Sequence, residues 1–163
     1  MNTEASYVMI NEATWGGGIN LDINPYSKAY FGFTTIHGRQ KNQHFVSGLG
    51  TGASFYKEGV LVPLFLDLRY WFNLCTTTPY LYGDGGLLMS FKNFSSDTRY
   101  FINPGIGFRR LISNTTGINF STGFMIQMGS GISWDSFVNL KLGLTYIPGG
   151  KSGRHTTRRS GAF

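Results

Sequence analysis

The sequence predicts an all-β protein, an eight-stranded antiparallel up-and-down transmembrane β-barrel. Three observations carry that expectation. Apolar residues recur at every second position over stretches of about ten residues, the period of a strand with two unlike faces. Short clusters of Asn, Gly, Ser, Pro and charge separate those stretches at hairpin length. Charged residues are 13% of the chain, about half the usual share of a soluble domain, while aromatics reach 16%. So little charge makes an ordinary solvated surface hard to build, and no stretch nears the ~18 uninterrupted apolar residues of a membrane-spanning helix.

The first strand is expected in GGGINLDI, where Ile19, Leu21 and Ile23 oppose Asn20 and Asp22, after a segment, residues 1–14, that leads into the barrel. AYFGFTTIHG supplies the second, with an ambiguous face. In HFVSGLGTGASFY, Phe45, Leu49, Ala53 and Phe55 oppose Gly48, Gly50, Gly52 and Ser54. The fourth, VLVPLFLDLRYWF, is the most informative. Its even positions, Val60, Val62, Leu64, Leu66, Leu68, Tyr70 and Phe72, are all apolar, whereas Asp67 and Arg69 fall among the odd ones. An unpaired charge in an apolar medium costs several kcal/mol, about 2–4 for a cation at the midplane of a barrel's lipid face, so the two charges set which face is which.

The later strands are expected in PYLYGDGGLLMSF, RYFINPGIGFRR, TGINFSTGFMIQ and FVNLKLGLTY. Their apolar rows are Leu81, Leu87, Met89 and Phe91, then Tyr100 to Phe108, then Ile118, Phe120, Phe124 and Ile126, then Val138 to Tyr146, with Thr122 a mild interruption of the third. Pro63 and Pro104 each lack a ladder donor, and a bulge, a strand end or a locally distorted pair is expected at each. The barrel then covers residues 15–147, and a basic, glycine-rich tail covers 148–163. That tail holds Lys151, Arg154, Arg158 and Arg159, four of the charges behind the net +6, so the body carries only +2.

Gly, Ser, Asn and a few charges dominate the polar rows, as suits a narrow lumen rather than a soluble exterior. Val62, Leu64, Leu66, Leu68, Leu140, Leu142 and Leu144 are therefore expected to face lipid. Phe55, Tyr70, Phe72, Phe91, Tyr100 and Tyr146 are expected to form aromatic girdles at the interfaces. Asp67, Arg69, Asp84, Arg109 and Lys141 fall on polar rows and are expected to pair as a lumen charge network. The clusters INPYSK, YKEGV, KNFSSDTR and GSGISWD are expected at one end of the barrel and both termini at the other.

The order of HFVSGLGTGASFY, VLVPLFLDLRYWF, PYLYGDGGLLMSF and YFINPGIGFRR, over roughly residues 29 to 147, resembles the small outer-membrane β-barrel proteins of Gram-negative bacteria, the porin-family or OmpX-like barrels. The matches are Pro63, Phe65, Asp67 and Arg69, then Pro79 and Tyr80, then Leu140 to Tyr146. Such barrels commonly finish at an aromatic on the last strand, whereas this chain runs on from Tyr146 to Phe163. MNTEASYVMINEATW lacks the basic and apolar regions of a signal peptide. The resemblance implies a place in the cell outer membrane, with membrane lipid or detergent and other outer-membrane or periplasmic proteins as partners.

Other chemistries find little support. One cysteine, Cys75, allows no intrachain disulfide and no zinc pattern. His37, His44 and His155 form no cluster with a nucleophile and an acid, so no enzyme and no cofactor are expected. GLGTGA lacks the last glycine of a phosphate loop and sits in a strand. The aromatics are not interleaved with basic residues, so nucleic acid is not an expected partner. A structural or accessory role, as a subunit of a larger complex, is the leading expectation. A narrow pore for ions or small solutes and a soluble lipid-binding barrel are the alternatives.

Overall fold

The computed structural model is a closed barrel in which each strand pairs antiparallel with the next and the eighth with the first. It describes residues 6–20, 27–72, 75–90, 98–129 and 134–148. The strands are β1 (Ser6–Asn20), β2 (Ala29–Gln40), β3 (Phe45–Tyr56), β4 (Gly59–Trp71), β5 (Thr77–Ser90), β6 (Arg99–Leu111), β7 (Thr116–Met128) and β8 (Trp134–Tyr146). Closure leaves no edge strand, which a chain crossing hydrocarbon requires because lipid offers no partner for a free N–H or C=O.

One boundary differs from the expectation. Ser6 to Thr14, expected as a lead-in, form most of β1, and pair with β2 on one side and β8 on the other. The physical reason is closure itself: β1 must match the thirteen residues of β8, which GGGINLDI alone is too short to do. Leu21, Ile23, Phe91 and residues 149–163 lie outside the described residues.

The alternation expected along β4 is present at every position. Val60, Leu64, Leu66, Leu68, Tyr70 and Phe72 are exposed and Val62 half-buried, whereas Leu61, Pro63, Phe65, Asp67, Arg69 and Trp71 are buried. The ambiguous second strand turns Phe31, Phe33, His37 and Arg39 outward, since its register with β3 sets them beside Phe55, Ala53, Leu49 and Ser47. On β7, outward Thr122 satisfies its hydroxyl by donating to the Asn139 carbonyl at 3.0 Å. Neither proline causes a bulge. Pairing lapses for two residues beside Pro63 on the β3 side and beside Pro104 on the β7 side, and resumes in the same register.

The barrel has two unlike ends. The terminus end carries Ser6, Tyr146 and the turns after β2, β4 and β6; the loop end carries the turn Lys57–Glu58 and the connections after β1, β5 and β7. YKEGV and the strand ends that flank INPYSK, KNFSSDTR and GSGISWD thus share one end, opposite Ser6 and Tyr146; residues 23–26, 92–97 and 130–133 of those clusters lie outside the described residues.

The lumen is filled. Towards the loop end Tyr30 stacks on Tyr56 at 5.3 Å and meets Phe137 edge-on at 5.5 Å, while Phe65 packs on Phe101 at 5.8 Å. Val8, Ile10, Ile36, Val46 and Trp71 are buried towards the terminus end. Glycines opposite these rings make the room: a Cβ on Gly50 would collide with the Phe65 ring. The connected charges occupy a middle layer, and the ring-packed layers on either side of it carry polar groups of their own, Gln127 and Asp135 towards the loop end and Arg109, Asn119 and Thr145 towards the terminus end.

Candidate functional site

The middle layer is built from five strands. Inward parity on β4 places Asp67 and Arg69 two residues apart on one face, and the Arg69 guanidinium grips the Asp67 carboxylate by Nε at 3.0 Å and Nη2 at 2.9 Å. Register sets Asp67 directly beside Asp84 of β5. Asp84 accepts hydrogen bonds from Lys141 Nζ of β8 and, at 3.2 Å, from Asn103 Nδ2 of β6. Asn139 Nδ2 donates to Asn103 Oδ1 at 2.9 Å, and the Tyr82 hydroxyl donates to Asn139 Oδ1 at 3.4 Å.

Glu12 of β1 joins the two halves. Its Oε1 lies 2.9 Å from Arg69 Nη1 and its Oε2 3.5 Å from Lys141 Nζ, both ion pairs off the hydrogen-bond direction. The side chain crosses Gly143, its partner on β8, where a Cβ would stand 2.7 Å from Glu12 Cγ. Every member of the group is 6% exposed or less. Charged groups this deep need partners, since the protein interior screens them poorly and water is out of reach. The Arg69 guanidinium also lies 5.5 Å from the Tyr80 ring centroid and 5.8 Å from that of Tyr82, and Lys141 Nζ lies 4.4 Å from the latter. Ring faces on these sides offer negative potential to a cation.

Of the five residues expected to pair, four meet in this group and Arg109 does not. Arg109 is inward and buried on β6, but its guanidinium stands 3.8 Å from the Trp71 ring centroid, with Nε and Nη1 lacking a hydrogen bond among the described residues. It sits nearer the terminus end than Asp84 because Arg109 pairs with Thr78, six residues along β5. Glu12 lies in the segment 1–14 expected as a lead-in, and SYVMINEATW gives no alternation to mark it as wall, since Val8 and Ile10 on its inward row are as apolar as Tyr7 and Met9 while Asn11 faces outward.

The outer wall holds the other expected residues. Leu64, Leu66, Leu68, Leu140, Leu142 and Leu144 are exposed, as are Phe55, Tyr70, Phe72, Tyr100 and Tyr146. Phe55 and Tyr100 lie at the loop ends of β3 and β6; Tyr70 and Tyr146 lie at the terminus ends of β4 and β8.

Chemically, the described lumen holds charge in place. A void beside Asp84, Asn103 and Lys141 is about 40 Å³, room for a water or two. Three carboxylates face two cations in the connected group.

The fold has clear counterparts among solved structures. The chain is similar to Neisserial surface protein A, with a TM-score of 0.65 and 12% identity over 88% of this chain and 98% of that one. It is similar to the N-terminal β-barrel domain of Pseudomonas aeruginosa OprF (TM-score 0.51, 13% identity, 88% and 100%). Ail, the attachment invasion locus protein of Yersinia pestis, is a third (0.52, 12%, 88% and 99%). No protein-family model matches the chain, and neither does any curated protein. The chain thus has the fold of the small eight-stranded outer-membrane barrels.

Proposed function

We propose that the chain is a non-enzymatic integral outer-membrane barrel with a structural or accessory role, rather than a channel. The observation that carries this reading is the filled lumen. Among the described residues, ring-packed layers with polar groups set among them flank a paired-charge layer, and the void beside Asp84 and Lys141, about 40 Å³, is far short of a continuous aqueous path. Buried pairs of this kind fix strand register. The exposed leucines and aromatics supply the apolar belt that lipid requires, and the aromatics at both strand ends fit its two interfaces. The likeness of fold to outer-membrane barrels supports the same placement. On this reading membrane lipid is the first partner, and other outer-membrane or periplasmic proteins are the second.

The alternatives fit less well. A soluble lipid-binding barrel needs an internal pocket of hundreds of Å³ and a polar exterior, whereas the described residues enclose a void of about 40 Å³ and turn leucines and aromatics outward. A narrow pore needs water beside Asp67 and Arg69, which are 0% and 2% exposed. The test is reconstitution into a planar bilayer alongside gel mobility in detergent before and after boiling. A mobility shift with no conductance steps is expected. Conductance that changes in Asp67→Asn or Arg69→Gln overturns the sealed lumen in favour of the pore, and a chain monodisperse without detergent overturns membrane placement.

A further inference from the structure

The outer wall is not uniform. On β4 every outward side chain is apolar, but from the edge of β7 across β8, β1, β2 and β3 the wall sinks into a groove of about 850 Å³, lined by Asn11, Ala13, Phe33, Thr35, Ala53 and Leu142. Register sets Leu142, Ala13, Phe33 and Ala53 side by side in one cross-strand row, so the small Ala13 and Ala53 lie low on either side of the exposed Phe33.

Towards the terminus end the groove meets a polar cluster. Thr35 belongs to both: its Oγ1 is hydrogen-bonded to His37 Nε2 at 3.3 Å, and His37 Nδ1 is hydrogen-bonded to the Tyr7 hydroxyl at 2.5 Å. The exposed Arg39 lies in one cross-strand row with Tyr7 and Ser47. Lys41 follows in the adjoining turn, its Nζ 5.8 Å from the Phe45 ring centroid. Among the described residues no acid balances these cations on the wall: Glu12, Asp67, Asp84 and Asp135 are buried inside the barrel and Glu58 is in the loop-end turn.

We propose that this wall binds one anionic phospholipid, with its phosphate at Arg39 beside His37 and Ser47 and an acyl chain in the groove. The proposal rests on the membrane-barrel reading above. Dimensions agree with it: from Arg39 to Phe33 along β2 is roughly 20 Å, which a ~45° strand tilt converts to roughly 15 Å of depth, one leaflet of hydrocarbon. Guanidinium and phosphate match in charge and in paired N–H geometry. The groove removes the chain from the bulk lipid, and the cluster selects its headgroup.

Native mass spectrometry of the detergent-purified full chain tests this, after exposure to phosphatidylglycerol or phosphatidylcholine with identical chains. Boiling-dependent gel mobility is checked first for each variant. One retained phosphatidylglycerol is expected, with about tenfold less phosphatidylcholine. Arg39→Gln should lower retention about tenfold by removing the charge-assisted contact. Ala13→Phe, or Ala53→Leu if that variant does not fold, should lower retention of both lipids by filling the groove. Arg110→Gln, at an exposed cation on the same end of β6, should leave retention unchanged. Equal loss in Arg110→Gln, or equal retention of the two lipids, overturns the site in favour of diffuse attraction. A dimer that hides the groove overturns it in favour of a second copy. No retained lipid in a chain that shifts on boiling overturns the site while the membrane reading stands; no shift at all defeats both.

Discussion

Glu12 and Arg69 sit on strands separated by two others, and their side chains meet across the lumen at 2.9 Å. That contact ties β1 to β4 through the middle of the barrel. Glu12 also reaches Lys141 on β8, so one carboxylate faces both cations of the group.

Removing that carboxylate should therefore be costly. Glu12→Ala leaves Arg69 and Lys141 buried beside fewer acids, and a loss of about 3–5 kcal/mol is expected. Urea unfolding of the refolded protein in detergent micelles measures it. A change below about 1 kcal/mol would show that Asp67 and Asp84 alone satisfy the cations.

The two buried arginines should respond in opposite ways to the same replacement. Arg69→Met strands Asp67 and Glu12 and should cost about 3–5 kcal/mol. Arg109→Met removes a cation that has no ion pair among the described residues and keeps an apolar stem against Trp71, so it should be neutral or stabilising. Equal losses in the two variants would place Arg109 inside the functional group after all.

Leu66→Arg should separate the outer wall from the lumen. Leu66 is exposed near the middle of β4, where a cation in lipid costs about 2–4 kcal/mol. Refolding into phospholipid vesicles is the measurement, and an unchanged midpoint would mean that this face meets water.

Two glycines offer a paired test of packing. A Cβ on Gly107 would stand 2.7 Å from Tyr80 Cζ and 2.6 Å from the Phe120 carbonyl oxygen, so Gly107→Ala should cost about 1–3 kcal/mol. Gly83→Ala meets nothing within 4 Å and should be neutral or mildly stabilising, because alanine gives up less chain entropy on folding. Similar midpoints for both would mean that the lumen is looser than its side chains suggest.

Much of the architecture could be read along the chain, because side-chain direction in a strand is a local property. The alternation in VLVPLFLDLRYWF separates Leu64 and Leu66 from Asp67 and Arg69 without reference to any other strand, and the same is true of Leu140 to Tyr146. The apolar layers were present in that same stretch, as Leu61, Phe65 and Trp71 on the charged face, but their meaning depended on what lay opposite. Chain position could not supply that.

By itself, then, the sequence determined how many strands there are, which face of each but the second is apolar, and that Asp67, Arg69, Asp84, Arg109 and Lys141 share the polar faces. Only the tertiary structure decided which of them meet. Height along the barrel axis depends on the stagger that accumulates around all eight strands and is settled where β8 closes on β1. That closure drew Ser6 to Thr14 into the wall, brought Glu12 between Arg69 and Lys141, and left Arg109 a layer away, over Trp71. The pairing of β1 with β2, in turn, brought Tyr7 to Thr35 and His37 on the outer wall, about thirty residues away along the chain.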